Sequence, residues 1–396
     1  MIGKRKTNTF VKMKFLLFFV FSFIIFNCTA QSVDPLTGRA IVNLPLGSVS
    51  ALDISVGVSL SHHGGALRVA EGPGNAGMGW NVNMGGAISR EVRGLPDEYN
   101  GSGSDTRKGW LYNNNANAQS IQNFNPAGDN NLADCSDEVN DWDFISGRGY
   151  ANDTEPDIYY FQAPGISGKF IYGTDGQPKL IPYQDLKIVS SVGLFTITTN
   201  NGTVYTFGTT ETTSRQSVQF KSTTPVNYRT SNYNYFTSPI SFATTWHLST
   251  IQSTASSAVA NFNYQMQEES QSFQYVTGIE PGTNSVVDTL YYIKDIGTPM
   301  ALNQITLNNY SVNVTWDNGL VNKISVNESE TGETKEYDFV YKSIKSNSDN
   351  NSPQVSKPFL MQVKQQNSCL AFPSYAFDYQ GVDTTNNVVA IPWRTG

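Results

Sequence analysis

The feature that most limits what this chain can fold into lies at residues 52–98. Leu52, Ile54, Val56, Val58 and Leu60 alternate without a break, the period of a strand with one buried face. A glycine-rich stretch follows, and a second alternation starts at Trp80. Trp80, Val82, Met84, Gly86, Ile88, Arg90 and Val92 share one parity, which predicts a strand interrupted at Gly85-Gly86. Paired glycines inside a strand mark a bulge, or a close approach by another backbone or a large side chain. Arg90 falls on the apolar parity. A buried arginine needs a carboxylate partner, and Asp97, Glu98, Glu155 and Asp157 are the candidates.

The N-terminus reads as a targeting signal. Lys4, Arg5, Lys6, Lys12 and Lys14 make a basic segment, residues 15–26 are apolar apart from Ser22, and Cys28-Thr29-Ala30 is a small-residue cleavage site. Twelve such residues are too few to span a bilayer. Residues 1–30 therefore read as a signal peptide, giving a secreted or cell-surface chain from Gln31 with no membrane insertion after cleavage. Lipidation at Cys28 is the lesser alternative, because Asn27 is a poor fit to the small residue that such sites place before the cysteine.

Removing that segment takes away five basic and no acidic residues and leaves 21 basic against 33 acidic. This balance argues against nucleic acid or an anionic membrane as a partner. Aromatics at 12% and charged residues at only 15%, with abundant Thr, Ser, Asn and Gly, describe strands and polar turns. The expected fold class is all-β, made of antiparallel hairpins and sheets. After cleavage only Cys135 and Cys369 remain, 234 positions apart. A disulfide and two buried thiols are both open readings.

Along the chain, Asp34-Pro35-Leu36-Thr37 fits a β-turn before a short strand. From 101 to 143 the periodicity collapses into Asn, Gly, Asp and Ser, a surface insertion occupying about 100–152. Short strands resume at 158–162, 169–173, 186–190, 194–199 and 203–208, with hairpin turns at Asp175-Gly176 and Asn200-Asn201-Gly202. A β domain over 31–210 and a second polar insertion at 211–245 follow from this reading. From 246 to 396 a weak repeat appears. Leu248-x-x-Ile251 leads to Phe262-x-Tyr264, Leu302-x-x-Ile305 to Val312-x-Val314-x-Trp316, Val321-x-x-Ile324 to Phe339-x-Tyr341, and Leu360-x-x-Val363 to Phe377-x-Tyr379. Each unit is a strand, a polar turn and a returning strand. Hairpins unable to bury a face alone must stack on their neighbours.

Chemistry-bearing motifs are few. His62-His63 would point to opposite faces of a strand, so one metal ion cannot easily take both. Ser167-Gly168-Lys169-Phe170 lacks the first glycine and the final Ser/Thr of a phosphate loop. Asp134, Asp137, Glu138, Asp141 and Asp143 lack the glycine of a calcium loop and read as solvated charge. Glu155 and Asp157 suggest a glycosidase pair, but Pro156 between them favours a turn anchor. No Ser-His-Asp or Cys-His arrangement is recognisable. The expectation is no catalytic residue, no cofactor and no metal.

The order of motifs is distinctive. Asp34-Pro35-Leu36-Thr37-Gly38 and Leu44-Pro45-Leu46 precede Gly77-Met78-Gly79-Trp80-Asn81, Gly85-Gly86 and Arg93-Gly94-Leu95-Pro96-Asp97-Glu98. Glu155-Pro156-Asp157-Ile158, Ser167-Gly168-Lys169-Phe170, Ile181-Pro182-Tyr183 and Trp246-His247-Leu248 follow. In this order the chain resembles the N-terminal region of the RHS/YD-repeat proteins of Bacteroidetes, which are large secreted proteins. The resemblance implies a non-enzymatic β element leading into a shell of long spiralling strands. In the wider family, similar to the B and C components of Tc toxins, that shell encloses a C-terminal toxin. It implies as partners the downstream shell and toxin, in the same or a neighbouring polypeptide. It also implies structural roles for Gly77, Gly79, Trp80, Gly85, Gly86, Arg90, Arg93, Gly94, Pro96, Asp97, Glu155, Pro156, Asp157, Gly168, Lys169 and Phe170. Tyr337-Asp338 is followed by Phe339-Val340-Tyr341 and not by a YDxxGR-type repeat. The chain is accordingly expected to be the opening segment of a longer protein. The competing expectation is a cell-surface binding module or adhesin, with Trp110, Trp142 and the Tyr-rich stretch at 228–235 contacting surface glycans.

Overall fold

The structure, a computed structural model, describes residues 32–33, 40–63, 72–103, 105, 107–112, 153, 155–191, 193–219, 239–277, 290–345, 356–367, 375–379, 382–383 and 388–389. The signal segment, the turn at 34–37, both remaining cysteines, the acidic cluster at 134–143, Trp142 and the stretch at 228–235 lie outside these residues. The fold is all-β, and the paired strands are antiparallel except for one parallel bridge, Lys345 to Val388. Among the described residues no helix is long and apolar enough to cross a membrane.

Strands β1 (Ser32–Val33), β2 (Ala40–Ala51), β3 (Ile54–His63) and β4 (Trp80–Asn83) form a four-stranded sheet in chain order. Ile54, Val56, Val58 and Leu60 are all buried. Leu52 departs from the expected strand. With Asp53 it forms the two-residue turn between β2 and β3, at φ +55° and 71% exposed. The tip is tied down by Asp53, whose carboxylate accepts the hydroxyls of Ser253 and Ser256.

The strand expected from Trp80 to Val92 is two strands in two sheets. Strand β4 pairs with β3, from Ser59↔Asn83 to His62↔Trp80. Strand β5 (Ala87–Glu91) instead pairs with β6 (Ile158–Ala163) and belongs to a second sheet. Gly85, at φ +75°, makes the corner. A Cβ on Gly86 would sit 2.5 Å from the Gln162 carbonyl oxygen, so only glycine fits where the chain crosses β6. The parity survives the corner, since Trp80, Val82, Ile88 and Arg90 are all buried. One uninterrupted alternation thus serves two sheets.

Strands β5 and β6 continue through β7 (Ile166–Tyr172), β8 (Pro178–Leu180), β9 (Leu186–Ser191), β10 (Leu194–Thr199), β11 (Val204–Gln219) and β12 (Ile240–Gln252). These strands neighbour one another in chain order, and β12 returns to pair with β5 over Thr245–His247, closing a circle. Its interior is filled by Tyr159, Phe161, Phe170, Phe195, Phe207, Trp246 and Leu248, as a small barrel requires. The polar insertion expected from 211 starts later, because β11 runs to Gln219 and β12 begins at Ile240. The Thr-rich run there carries no apolar alternation. It stays extended because it is hydrogen-bonded along its whole length, to β12 as far as Arg215 and to β15 (Leu290–Gly297) from Thr213 onward, and β-branched threonine suits half-exposed strand faces.

The rest of the sheet branches from the same two strands. It comprises β13 (Val259–Met266), β14 (Ser270–Thr277), β15, β16 (Met300–Leu307), β17 (Tyr310–Asp317), β18 (Leu320–Glu328), β19 (Thr334–Lys345) and β20 (Ser356–Asn367). The short β21 (Tyr375–Ala376), β22 (Val382–Asp383) and β23 (Val388–Val389) follow. Spatial order is β12-β13-β16-β17-β18-β19-β20-β21, while β14 and β15 fold out as an arm against β11. That arm is why the sequence repeat is unevenly spaced.

The three-residue spacing inside each repeat has a structural cause. Two residues three apart on a regular strand face opposite ways, yet Leu248 and Ile251, Leu302 and Ile305, Val321 and Ile324, and Leu360 and Val363 are all buried. A β-bulge restores the facing in every case. The pairing register skips Ser249, Asn303, Asn322 and Met361, each directly after the first apolar residue. At each bulge an aromatic side chain of the returning strand donates to the carbonyl of that first residue. Tyr264 Oη bonds Leu248 O at 2.9 Å, Trp316 Nε1 bonds Leu302 O at 2.9 Å, Tyr341 Oη bonds Val321 O at 2.6 Å, and Tyr379 Oη bonds Leu360 O at 2.5 Å. The aromatics also interlock the units, since Tyr264 lies opposite Leu302, Trp316 opposite Val321 and Tyr341 opposite Leu360. A ladder of hydrogen-bonded rings thus crosses the sheet from β12 to β21.

The N-terminal sheet lies on this ladder and shares one core with it and with the barrel. The Tyr337 hydroxyl donates to Leu46 O, Val321 N–H to Asn75 O at 2.9 Å, and Met78 N–H to Pro358 O at 2.9 Å. Trp80 ends the ladder, with Nε1 donating to Tyr379 Oη at 3.0 Å and its ring 4.3 Å from that of Phe377.

Candidate functional site

The barrel interior carries a buried charge. Arg90 projects from β5 with its side chain 1% exposed. Its Nε lies 2.9 Å from Asp157 Oδ2, and its NH1 donates to both oxygens of Glu98 at 2.8 and 3.0 Å. Three aromatic rings complete its surroundings, with the guanidinium carbon 5.7, 5.5 and 6.0 Å from the ring centres of Tyr159, Phe242 and Trp246. NH2 makes no hydrogen bond within the protein, so π-faces replace oxygens on that side. Burial opposes the charge, but Glu98 and Asp157 outweigh it and Arg90 stays cationic.

Asp157 and Asp97 clasp each other's backbone. Asp157 N–H donates to Asp97 Oδ1 at 2.9 Å, and Asp97 N–H donates to Asp157 Oδ2 at 3.0 Å. Asp157 Oδ1 accepts from Arg93 N–H at 2.7 Å, and Asp97 Oδ2 from the Tyr159 hydroxyl at 3.1 Å. The clasp joins the exit of β5 to the entry of β6, fixing where the barrel starts. Burial raises both carboxyls above the usual range, against Arg90 and the hydrogen bonds that each accepts. Burial beside these two pushes Asp153 up to about 8, against a hydrogen bond from the Glu155 N–H.

The motif residues named from the sequence separate into three places. Arg90, Asp97, Asp157 and Phe170, which stacks on Tyr159 at 4.9 Å, belong to this knot. Arg93, Gly94, Pro96, Glu155 and Pro156 shape its rim. Arg93 is exposed and acts through its backbone, with its side chain 3.6 Å from Glu91. Gly94 leaves room for Asp153, whose Oδ1 would lie 2.6 Å from a Cβ there, and Pro96 O accepts Tyr99 N–H at 2.7 Å. Gly77, Gly79 and Trp80 go elsewhere, to the turn under the repeat sheet, where Gly77 at φ +91° packs against the Pro358 and Leu360 backbone. Gly85, Gly86 and Gly168 border a cleft between barrel and repeat sheet, with the Phe161 ring lying over Gly168. Lys169 is half-buried on β7, its carbonyl accepting Ile181 N–H at 2.9 Å. His62 packs its ring 4.7 Å from that of Trp80, and no cluster of metal-ligating side chains occurs among the described residues.

Two placements are not legible in the sequence, where Trp110 reads only as a glycan contact and Glu211 has no role. Trp110 sits in a turn of 3-10 helix and donates to Tyr172 O at 2.9 Å, so the first part of the polar insertion is docked on the barrel. His247 Nε2 lies 2.8 Å from Glu211 Oε1, which also accepts the Met300 N–H at 2.7 Å. Burial opposes ionisation of Glu211, and these bonds outweigh it, holding its carboxyl below the usual range. Its isolated place in a Thr run gave no sequence signal.

A scan against protein-family models and a search of curated proteins both return no match for this chain. The site defines a class only in physical terms: an antiparallel barrel keyed by a buried Arg–Asp knot, fused to a ladder of bulged hairpins.

Proposed function

We propose that this chain is a non-enzymatic structural segment, the front of a β shell in a secreted protein of the RHS/YD-repeat type. The observation carrying this reading is the ladder. Every hairpin unit caps a bulge carbonyl with an aromatic of the returning strand, and that aromatic lies opposite the next unit wherever the next unit is described. Such units are made to be added side by side. The barrel and the N-terminal sheet give the first units a fixed surface to build on. Asp157 is fully buried and engaged by Arg90 and two N–H groups, which speaks against a glycosidase that would use it with Glu155.

The partners on this reading are further hairpins and an enclosed toxin. The test is to read the source genome past the codon for Gly396 and to express the extended chain. In-frame YD-type hairpins, giving a hollow particle by electron microscopy, support the shell. A stop codon followed by unrelated sequence would overturn it.

A further inference from the structure

The outer edge of β12 is shared. Thr245–His247 pair with β5 on the barrel side, and Thr250–Gln252 pair with β13 on the repeat side. Between them the sheet forks, and Leu248 N–H turns to Gly86 O at 2.9 Å. The fork holds a cleft of about 540 Å³, within the usual range of small-ligand sites, about 300–1,000 Å³. Its barrel wall offers Ser89, Tyr160 and Gln162, its repeat wall Tyr264 and Trp316, and His247 stands at the crotch. Gly85 forms the crotch at φ +75°, where a Cβ would stand at ordinary contact distance from Tyr264 and Leu302.

The chemistry of the lining selects the ligand. Among the described residues no Asp, Glu, Lys or Arg lines the cleft, although such residues make up 15% of the chain. Phosphates, carboxylates and metal ions therefore find no counter-charge. What the walls present is the Gln162 amide, the Ser89 and Ser167 hydroxyls, one imidazole, and the rings of Tyr160, Tyr264 and Trp316, whose polar atoms bond Glu91, Leu248 O and Leu302 O. That combination matches a neutral molecule with a ring of hydroxyls and apolar C–H faces. We propose that the fork cleft is a saccharide site, taking one or two neutral pyranose units between the barrel and repeat walls. The Glu211 bond fixes the His247 imidazole at one nitrogen and holds the ring 4.8 Å from Tyr264. The site is distinct from the shell role, and neither stands or falls with the other.

The experiment titrates the full chain with cellobiose, chitobiose and lactose, with glucuronate as a charged control, by calorimetry and saturation-transfer NMR. At least one neutral disaccharide is expected to bind and glucuronate to fail. Ser89→Trp, which fills the cleft from an exposed strand position, is expected to abolish binding. Gln162→Ala is expected to weaken it about fivefold, the loss of one hydrogen bond. Tyr183→Ala, at a position 84% exposed after β8, should leave affinity unchanged. Absence of binding by all three sugars overturns the proposal. So does binding that survives Ser89→Trp in a folded variant, or, where that variant does not fold, binding untouched by Gln162→Ala.

Discussion

The barrel and the repeat sheet solve the same problem, satisfying polar groups inside a β core, in opposite ways. The barrel gathers its polar burden at one point. Arg90, Asp97, Asp153 and Asp157 are buried together; Arg90 supplies the counter-charge, Asp97 and Asp157 hold each other's backbone N–H, and Asp153 packs beside them, accepting the Glu155 N–H. The repeat sheet spreads its burden out. Each bulge frees one carbonyl, and each carbonyl has its own aromatic donor. A knot of interdependent charges suffers as a unit when its one cation is removed. A ladder of separate bonds can lengthen by one rung and lose one rung without collapse. The molecule therefore begins with an element that can form only once and continues with one that can be repeated.

The contrast predicts where substitution hurts most. Arg90→Met keeps the length and apolar stem of the side chain but leaves Asp157 without its cation and Glu98 without its partner. A loss of about 3–5 kcal/mol is expected, read from urea denaturation at neutral pH. Adding Asp157→Asn should recover part of it, because the uncompensated charge goes with the carboxylate. No recovery in the double variant would mean that the arginine acts by packing alone.

Gly86→Ala comes next. Its Cβ would meet the Gln162 carbonyl oxygen at 2.5 Å, so β5 and β6 must part or the corner must shift. Overpacking of this kind costs about 1–3 kcal/mol, measurable as a lower midpoint in the same assay. Gly57 offers a control inside β3, where a Cβ meets nothing within 4 Å.

A third test uses pH. Burial raises Asp153 to about 8, far above the unfolded value near 4. Between those values the folded chain holds a proton that the unfolded chain has released. Stability is therefore greatest at the acidic end of this window and falls as pH rises through it. Asp97, raised in the same direction, adds to the slope. Asp153→Asn should flatten the fall and leave the variant more stable than the parent at pH 9, by about 1 kcal/mol. A parent whose midpoint rises from pH 6 to 9 would contradict the arrangement of charges in the knot.

How far the sequence revealed these regions follows from the range of each interaction. Strand alternation is local, so Ile54 to Leu60 and the short strands from 158 to 199 were legible. The corner at Gly85-Gly86 was half legible. The glycines announced a close approach, but conserved parity concealed a change of sheet. Arg90 declared its need for a carboxylate. The choice among four candidates depended on the Asp97–Asp157 clasp, which joins residues 60 positions apart. Glu211 and the extension of β11 to Gln219 were invisible, since a strand held by backbone pairing to β12 and then to β15 needs no apolar period. The three-residue spacing of the repeat was visible from the start. Its meaning as a bulge, and the role of the second aromatic, required the register.

The ladder gives the smallest effects and the sharpest contrast with the knot. Tyr341→Phe removes only the oxygen that donates to Val321 O, and Tyr264→Phe does the same at Leu248 O. Each loss should lie near 0.5–1.5 kcal/mol, the net worth of one buried hydrogen bond. Tyr379→Phe should exceed both, because that hydroxyl also accepts from Trp80 Nε1, and its removal strands two groups. The decisive measurement is the double variant Tyr264→Phe/Tyr341→Phe. Independent rungs require the two losses to add within about 0.5 kcal/mol, as separated sites do. Coupling well above that would mean that strain passes from bulge to bulge through Leu302 and Trp316. The repeat sheet would then behave as one cooperative block like the knot, and the extensibility inferred from its separate bonds would have to be abandoned.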